Sequence, residues 1–109
     1  MGNKEKAMNT ISKFPVPITG EFELKIPRGS ITLSVQEQGL GKLVMWIALG
    51  DPDNETVTRV FKIYGTGHLM AEKLPYLRHI ETVQMKNELV WHIFEKTKEL
   101  VPAWFPRGI

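Results

Sequence analysis

Side chains along much of this chain alternate between apolar and polar with a period of two. Phe22, Leu24 and Ile26 alternate with Glu21, Glu23 and Lys25, and Ile31, Leu33 and Val35 alternate with Ser30, Thr32, Ser34 and Gln36. Successive side chains on a strand point to opposite faces, so each stretch predicts a strand with one buried and one wetted face. Leu43 to Leu49 is apolar at every position, which predicts a strand covered on both sides and central in its sheet. Thr56 to Tyr64 is β-branched and aromatic, as strands prefer. Ile80 to Met85 and Leu89 to Lys96 form a last hairpin around Lys86-Asn87-Glu88. A short first strand, Thr10 to Phe14, is followed by Pro15 and Pro17, which suit a sheet edge.

Turns punctuate these strands. Pro27-Arg28-Gly29, Gln38-Gly39-Leu40-Gly41 and Asp51-Pro52-Asp53-Asn54 combine fixed φ, permissive glycine and self-capping acidic side chains. About seven strands with short connections predict an all-β domain, an antiparallel sandwich or a partly closed barrel. The helical candidate is short: Leu69 to Leu74, inside the 65–78 connection and stopped by Pro75. Trp46 and Trp91 lie on strongly apolar strands and are expected in the core.

The 109 residues suit one domain, with 42% hydrophobic and 24% charged residues enough for a single core. Residues 10–96 are assigned to the β domain, with tails at 1–9 and 97–109. No apolar run approaches the roughly 18–20 residues that span a bilayer. Met1 to Asn9 is polar and lacks a signal-peptide hydrophobic region. The chain has no cysteine, which removes disulfides, thiol catalysis and thiolate zinc sites. A cytoplasmic location is the simplest fit. A net charge of +2 with interspersed signs argues against nucleic acid, which usually needs a concentrated basic face.

The 65–78 connection is the candidate functional segment. It runs to about a dozen residues where small β domains ordinarily use about two to five. It opens with Gly65-Thr66-Gly67-His68. Backbone N–H groups of a glycine turn can converge on an anion, Thr66 can donate a hydrogen bond, and protonated His68 can add charge. With Lys62 and Arg78 nearby in sequence, the expected ligand is a phosphorylated small molecule or nucleotide. The competing reading is a strand-ending turn whose glycines serve backbone geometry, with His68 as a cap. The turn is not a Walker loop, because no Gly-Lys-Ser/Thr follows.

Other chemistry finds little support. His68, His79 and His92 are widely spaced, and neither a metal site nor a cofactor is predicted. Ser12, Ser30 and Ser34 sit in or beside strands without a nucleophile elbow. Glu81 and Glu95 fall across the last hairpin and are expected to be solvated charges paired with Lys86 or Lys96. Arg59, Lys62 and Tyr64 give only a faint stacking platform. The tail carries Trp104 and Phe105, whose burial contributes roughly 3–6 kcal/mol, so it packs on its own domain or on another chain. Trp104, Phe105, Met70 and Tyr76 are the predicted interaction residues.

Several blocks together carry a family likeness. They are Ile11-Ser-Lys-Phe-Pro15, Leu24-Lys-Ile-Pro-Arg-Gly29, Ile31-Thr-Leu-Ser-Val-Gln36, Leu49-Gly-Asp-Pro52, Phe61-Lys-Ile-Tyr-Gly-Thr-Gly-His68, Thr82-Val-Gln84 and Leu89-Val-Trp-His-Ile-Phe-Glu95. Over about residues 10–95 the chain resembles a family of small phage and prophage proteins classed as a domain of unknown function. The resemblance implies a phage or prophage source and brings neither an activity nor site residues. The expected function is that of a non-enzymatic accessory protein acting by protein–protein interaction, as a host-interaction or counter-defence factor in the bacterial cytoplasm. Its partner would be a host or phage protein, or a second copy in a homo-oligomer. Two alternatives stand beside it: a protein sequestering a phosphorylated small molecule or nucleotide, and a small virion component.

Overall fold

The computed structural model describes residues 9–98. Residues 1–8 and 99–109, and with them Trp104 and Phe105, lie outside the described residues. Seven strands form: β1 (Thr10–Val16), β2 (Glu21–Pro27), β3 (Ile31–Glu37), β4 (Leu43–Leu49), β5 (Thr56–Gly65), β6 (Leu77–Gln84) and β7 (Val90–Lys96). They build two antiparallel sheets, ordered β1-β4-β3 and β2-β5-β7-β6. The result is a sandwich, and the sheets do not close into a barrel. β4, apolar on both faces, takes the centre of the three-stranded sheet, and the proline-blunted β1 takes its edge.

The inner faces supply the core. Val16, Val35, Met45 and Ile47 from one sheet meet Ile26, Phe61, Ile63, Val83 and Ile93 from the other. Burial of this apolar surface is the main term holding the sandwich together. The chain crosses between sheets at 17–20, 28–30 and 50–55, and the last two crossings bond to each other. Arg28 N donates to Glu55 O at 2.9 Å, and Ser30 Oγ accepts from Gly50 N at 2.9 Å. A Cβ on Gly50 would stand 2.6 Å from Arg28 O, so only glycine allows this approach.

Alternation fails in β3. Its register against β4 shifts between Thr32 and Ser34, a bulge at Leu33. Val35 stays in the core, but Ile31 is turned to the outer face, opposite Ala48, and Thr32 faces inward opposite Ile47. The expected single buried row Ile31-Leu33-Val35 is therefore broken. β6 carries a matching shift between His79 and Glu81. The two bulged strands are the adjacent edges of the two sheets. Side chains join them: Glu81 Oε1 accepts from Val35 N at 3.4 Å, and Glu37 Oε1 accepts from Lys86 N at 2.8 Å.

The long connection also differs from expectation. β6 starts at Leu77, so the connection spans 66–76, and its helical piece is a 3-10 turn at Leu74–Tyr76. Pro75 lies inside that turn rather than ending a helix at Leu74. Its fixed φ suits a first helical turn, where its missing N–H is not needed. The connection lies over the outer face of the four-stranded sheet. Glu72 reaches Lys62 of β5 at 3.8 Å and Lys96 of β7 at 3.5 Å. Tyr64 and Leu77 are buried there, outside the inter-sheet core.

Candidate functional site

Gly65-Thr66-Gly67-His68 forms a tight turn in which His68 N donates to Gly65 O at 3.1 Å. Gly67 has φ of +88°, which its lack of a Cβ permits. His68 folds back on the turn, and its Nδ1 accepts from Gly65 N at 3.0 Å. A Cβ at Gly65 would lie 2.7 Å from the His68 ring, so this glycine makes room for the histidine. Two of the polar groups expected to face an anion, Gly65 N–H and His68 Nδ1, are thus bonded to each other. His68 also stands edge-on to Trp91, with ring centroids 6.4 Å apart.

Thr66 reaches further. Its Oγ1 lies 2.7 Å from His92 Nε2, His92 Nδ1 lies 3.0 Å from Thr82 Oγ1, and Thr82 Oγ1 lies 2.8 Å from His79 Nε2. Four side chains from the turn, β7 and β6 form one hydrogen-bonded row along the outer face. The His79 pKa is shifted below its ordinary value. Burial lowers it, the neighbouring His92 lowers it further, and Glu81 opposes both. Among the described residues no group of three or more His, Asp or Glu is placed to hold a metal ion.

The four predicted ligand contacts do not converge. Thr66 and His68 share a hollow of about 270 Å3 with Glu88, Leu89 and Trp91. Lys62 lies on the outer face between Glu21 (3.1 Å) and Glu72. Burial alone would lower the Lys62 pKa, but its hydrogen bond to Glu21 and the nearby negative charges outweigh this and raise it. Arg78 stands opposite Glu95 in the β6–β7 register and lines a different cavity. Of the predicted interaction residues on the connection, Tyr76 is exposed and Met70 half-buried. Leu69, which sequence reasoning did not single out, is 97% exposed.

That second cavity, about 260 Å3, opens where the bulged stretches of β3 and β6 face each other. Ser30, Thr32, Arg59, Arg78, His79 and Glu95 supply its polar lining. Glu95 is buried rather than solvated, and its partner is Arg59, not a lysine. Arg59 Nε bonds Glu95 Oε2, Nη2 donates to Oε1 at 3.1 Å, and Nη1 donates to Ser30 O at 2.9 Å. Arg59 therefore faces away from Lys62 and Tyr64, and the faint stacking platform does not form. Thr32 Oγ1 and His79 Nδ1 are buried without a hydrogen-bond partner. Sequence reasoning missed this site because Ser30, Arg59, Arg78 and Glu95 are far apart in the chain.

The outer face of the three-stranded sheet is apolar along its first row and mixed beyond it. Ile11, Ala48 and Ile31 form one row across β1, β4 and β3. The next rows are Lys13-Trp46-Ser34 and Pro15-Val44-Gln36. Trp46, expected in the core, lies on this face because the flanking Met45 and Ile47 take the inner one. Trp91 packs against the core, as expected.

Residues 8–102 match the model of a family described as Domain of unknown function (DUF7352). The match runs past both ends of the 10–95 span carried by the motifs. No curated protein and no solved structure matches the chain.

Proposed function

The chain belongs to this family of unknown function, and on that premise we propose that it is a phage or prophage accessory protein that works by binding another protein, without catalysis. The phage attribution rests on the Gly65–His68 and Leu89–Glu95 motifs. The cysteine-free composition suits a reducing host cytoplasm.

One observation carries the reading. Ile11 is 63% and Ile31 61% exposed, in one row with Ala48 and next to Trp46. Apolar residues scattered singly on a surface need no explanation, but a contiguous apolar patch marks an interaction site. Interface hot spots favour such a tryptophan beside aliphatic neighbours. Lys13, Ser34 and Gln36 supply a polar rim.

The test compares the full chain with an Ile11→Lys/Ile31→Lys variant, both tagged and recovered from the bacterial host. Both positions are exposed, so the double change should cost no more than about 1 kcal/mol per site. The expected result is a protein held in stoichiometric amount by the wild type and lost by the variant, with the melting transition retained. Self-association lost in the variant would make the partner a second copy. A variant that holds the same partner equally well overturns the reading, as does a wild type that stays monomeric and recovers nothing.

A further inference from the structure

We propose that the open edge of β2 pairs antiparallel with β2 of a second copy of this chain, about a two-fold axis at Leu24 normal to the sheet. The pairing joins two four-stranded sheets into one. This edge is distinct from the outer face of the three-stranded sheet and does not depend on the protein-binding reading.

The backbone of β2 offers unused hydrogen bonds. Gly20 O accepts from Ile63 N at 3.2 Å, and Arg28 N donates to Glu55 O at 2.9 Å. Between them the antiparallel register runs unbroken from Glu21 opposite Lys62 to Pro27 opposite Thr56. The parity of the ladder follows: N–H and C=O groups point toward β5 at even positions and away from it at odd ones. Glu21 O is already engaged by the Thr19 hydroxyl at 3.0 Å, and Pro27 O by Ser30. The N–H and C=O groups of Glu23 and Lys25 face the open side, where no described strand pairs with them.

Among the described strands, β2 is the unguarded edge. β3 and β6 face each other. β1 carries Pro15 within the strand, which removes a donor and blunts that edge. β2 has no bulge, and its proline, Pro27, is its last residue.

An unpaired regular edge is a template for another strand, and charged side chains usually decide which one. Glu23 and Lys25 are both exposed, and among the described residues neither is in an ion pair. With the axis at Leu24, Glu23 stands opposite the partner's Lys25, and Lys25 opposite the partner's Glu23. Directly opposed pairs of opposite charge stabilise an antiparallel sheet. Each of these pairs also exchanges both backbone bonds, since both residues face the open side. On the inner face, Leu24 meets the partner's Leu24, and Phe22 meets the partner's Ile26. Phe22 and Leu24 are only half-buried in the single chain, so pairing removes more of their apolar surface from water. An axis at Glu23 would set that carboxylate against its own copy, so charge selects the register. A two-fold contact of this kind closes on itself and gives a dimer rather than a fibre.

Sedimentation equilibrium of the full chain reads the association, and amide hydrogen exchange reads its location. The proposal expects a monomer–dimer equilibrium, with exchange at the Glu23 and Lys25 amides slowing as the dimer forms. Glu23→Lys and Lys25→Glu each set like charges opposite one another at exposed positions. Each should weaken self-association at least about tenfold. An equimolar mixture of the two variants brings opposite charges back into register and should form a heterodimer. The double change Glu23→Lys/Lys25→Glu should self-associate as the wild type does. Ile11→Lys/Ile31→Lys, on the other sheet, should leave this association intact, so the failure of either reading is seen separately. A chain that stays monomeric up to millimolar concentration overturns the proposal. So does a dimer insensitive to both charge reversals, or one whose Glu23 and Lys25 amides exchange as in the monomer.

Discussion

Glu88 adopts φ of +74° in the β6–β7 turn, a left-handed conformation that costs an L-residue about 1–2 kcal/mol. The turn needs it: Met85 N donates to Leu89 O at 2.8 Å and Glu88 N donates to Met85 O at 2.9 Å, a three-residue loop ending in a left-handed position. Glycine would remove the strain at the expense of chain entropy. Glu88→Gly should therefore raise the unfolding free energy by up to about 1 kcal/mol in urea denaturation. His79 shows the same tension in its titration. Burial lowers its folded pKa below the usual 6.5, with His92 adding to the effect. The unfolded chain then binds more protons than the folded one, so stability is full above the unfolded value and falls as pH drops toward the folded one. The urea midpoint should decline between neutral and mildly acid pH, and His79→Gln should flatten that decline.

At the scale of elements, the Arg59–Glu95 pair joins β5 to β7 where the sandwich opens, with side chains only 18% and 9% exposed. Glu95→Leu leaves a poorly solvated guanidinium without its partner and should cost about 3–5 kcal/mol by chemical denaturation. Arg59→Met with Glu95→Leu should recover most of that loss, because the desolvation penalty goes with the charges. Much of the element plan is legible in the sequence. Leu43 to Leu49 announces a central strand by being apolar on both faces, and Pro15 and Pro17 announce an edge. Gly65 to His68 is legible as a turn, with His68 closing it. The β3 bulge is not legible. Ile31 to Gln36 alternates cleanly and holds no glycine to mark a break. The shift is set by pairing with β4 and by the meeting with β6, which are tertiary facts. The same shift takes Ile31 out of the predicted core and turns the Thr32 hydroxyl inward. Glu95 is misjudged for the same reason, since its partner Arg59 is 36 residues away.

At the scale of the whole molecule, one displaced residue shapes both faces of the three-stranded sheet at its β3 edge. The bulge at Leu33 sends Ile31 outward to complete the apolar row and Thr32 inward, opposite Ile47. The outer face of the other sheet is covered in part, by a connection that Glu72 ties to Lys62 and Lys96. The surface proposed to meet a partner is thus the outer face of the three-stranded sheet, where Ile11 and Ile31 stand exposed in the row with Ala48. The measurement that tests this most directly uses the absence of cysteine. Ile31→Cys and Thr32→Cys would be made singly in the full chain and reacted with a thiol reagent under native conditions. The bulged strand predicts that position 31 reacts at close to the rate of a free thiol and position 32 far more slowly. Fast reaction at position 32 with protection at 31 would mean an unbroken alternation, and would contradict the apolar face.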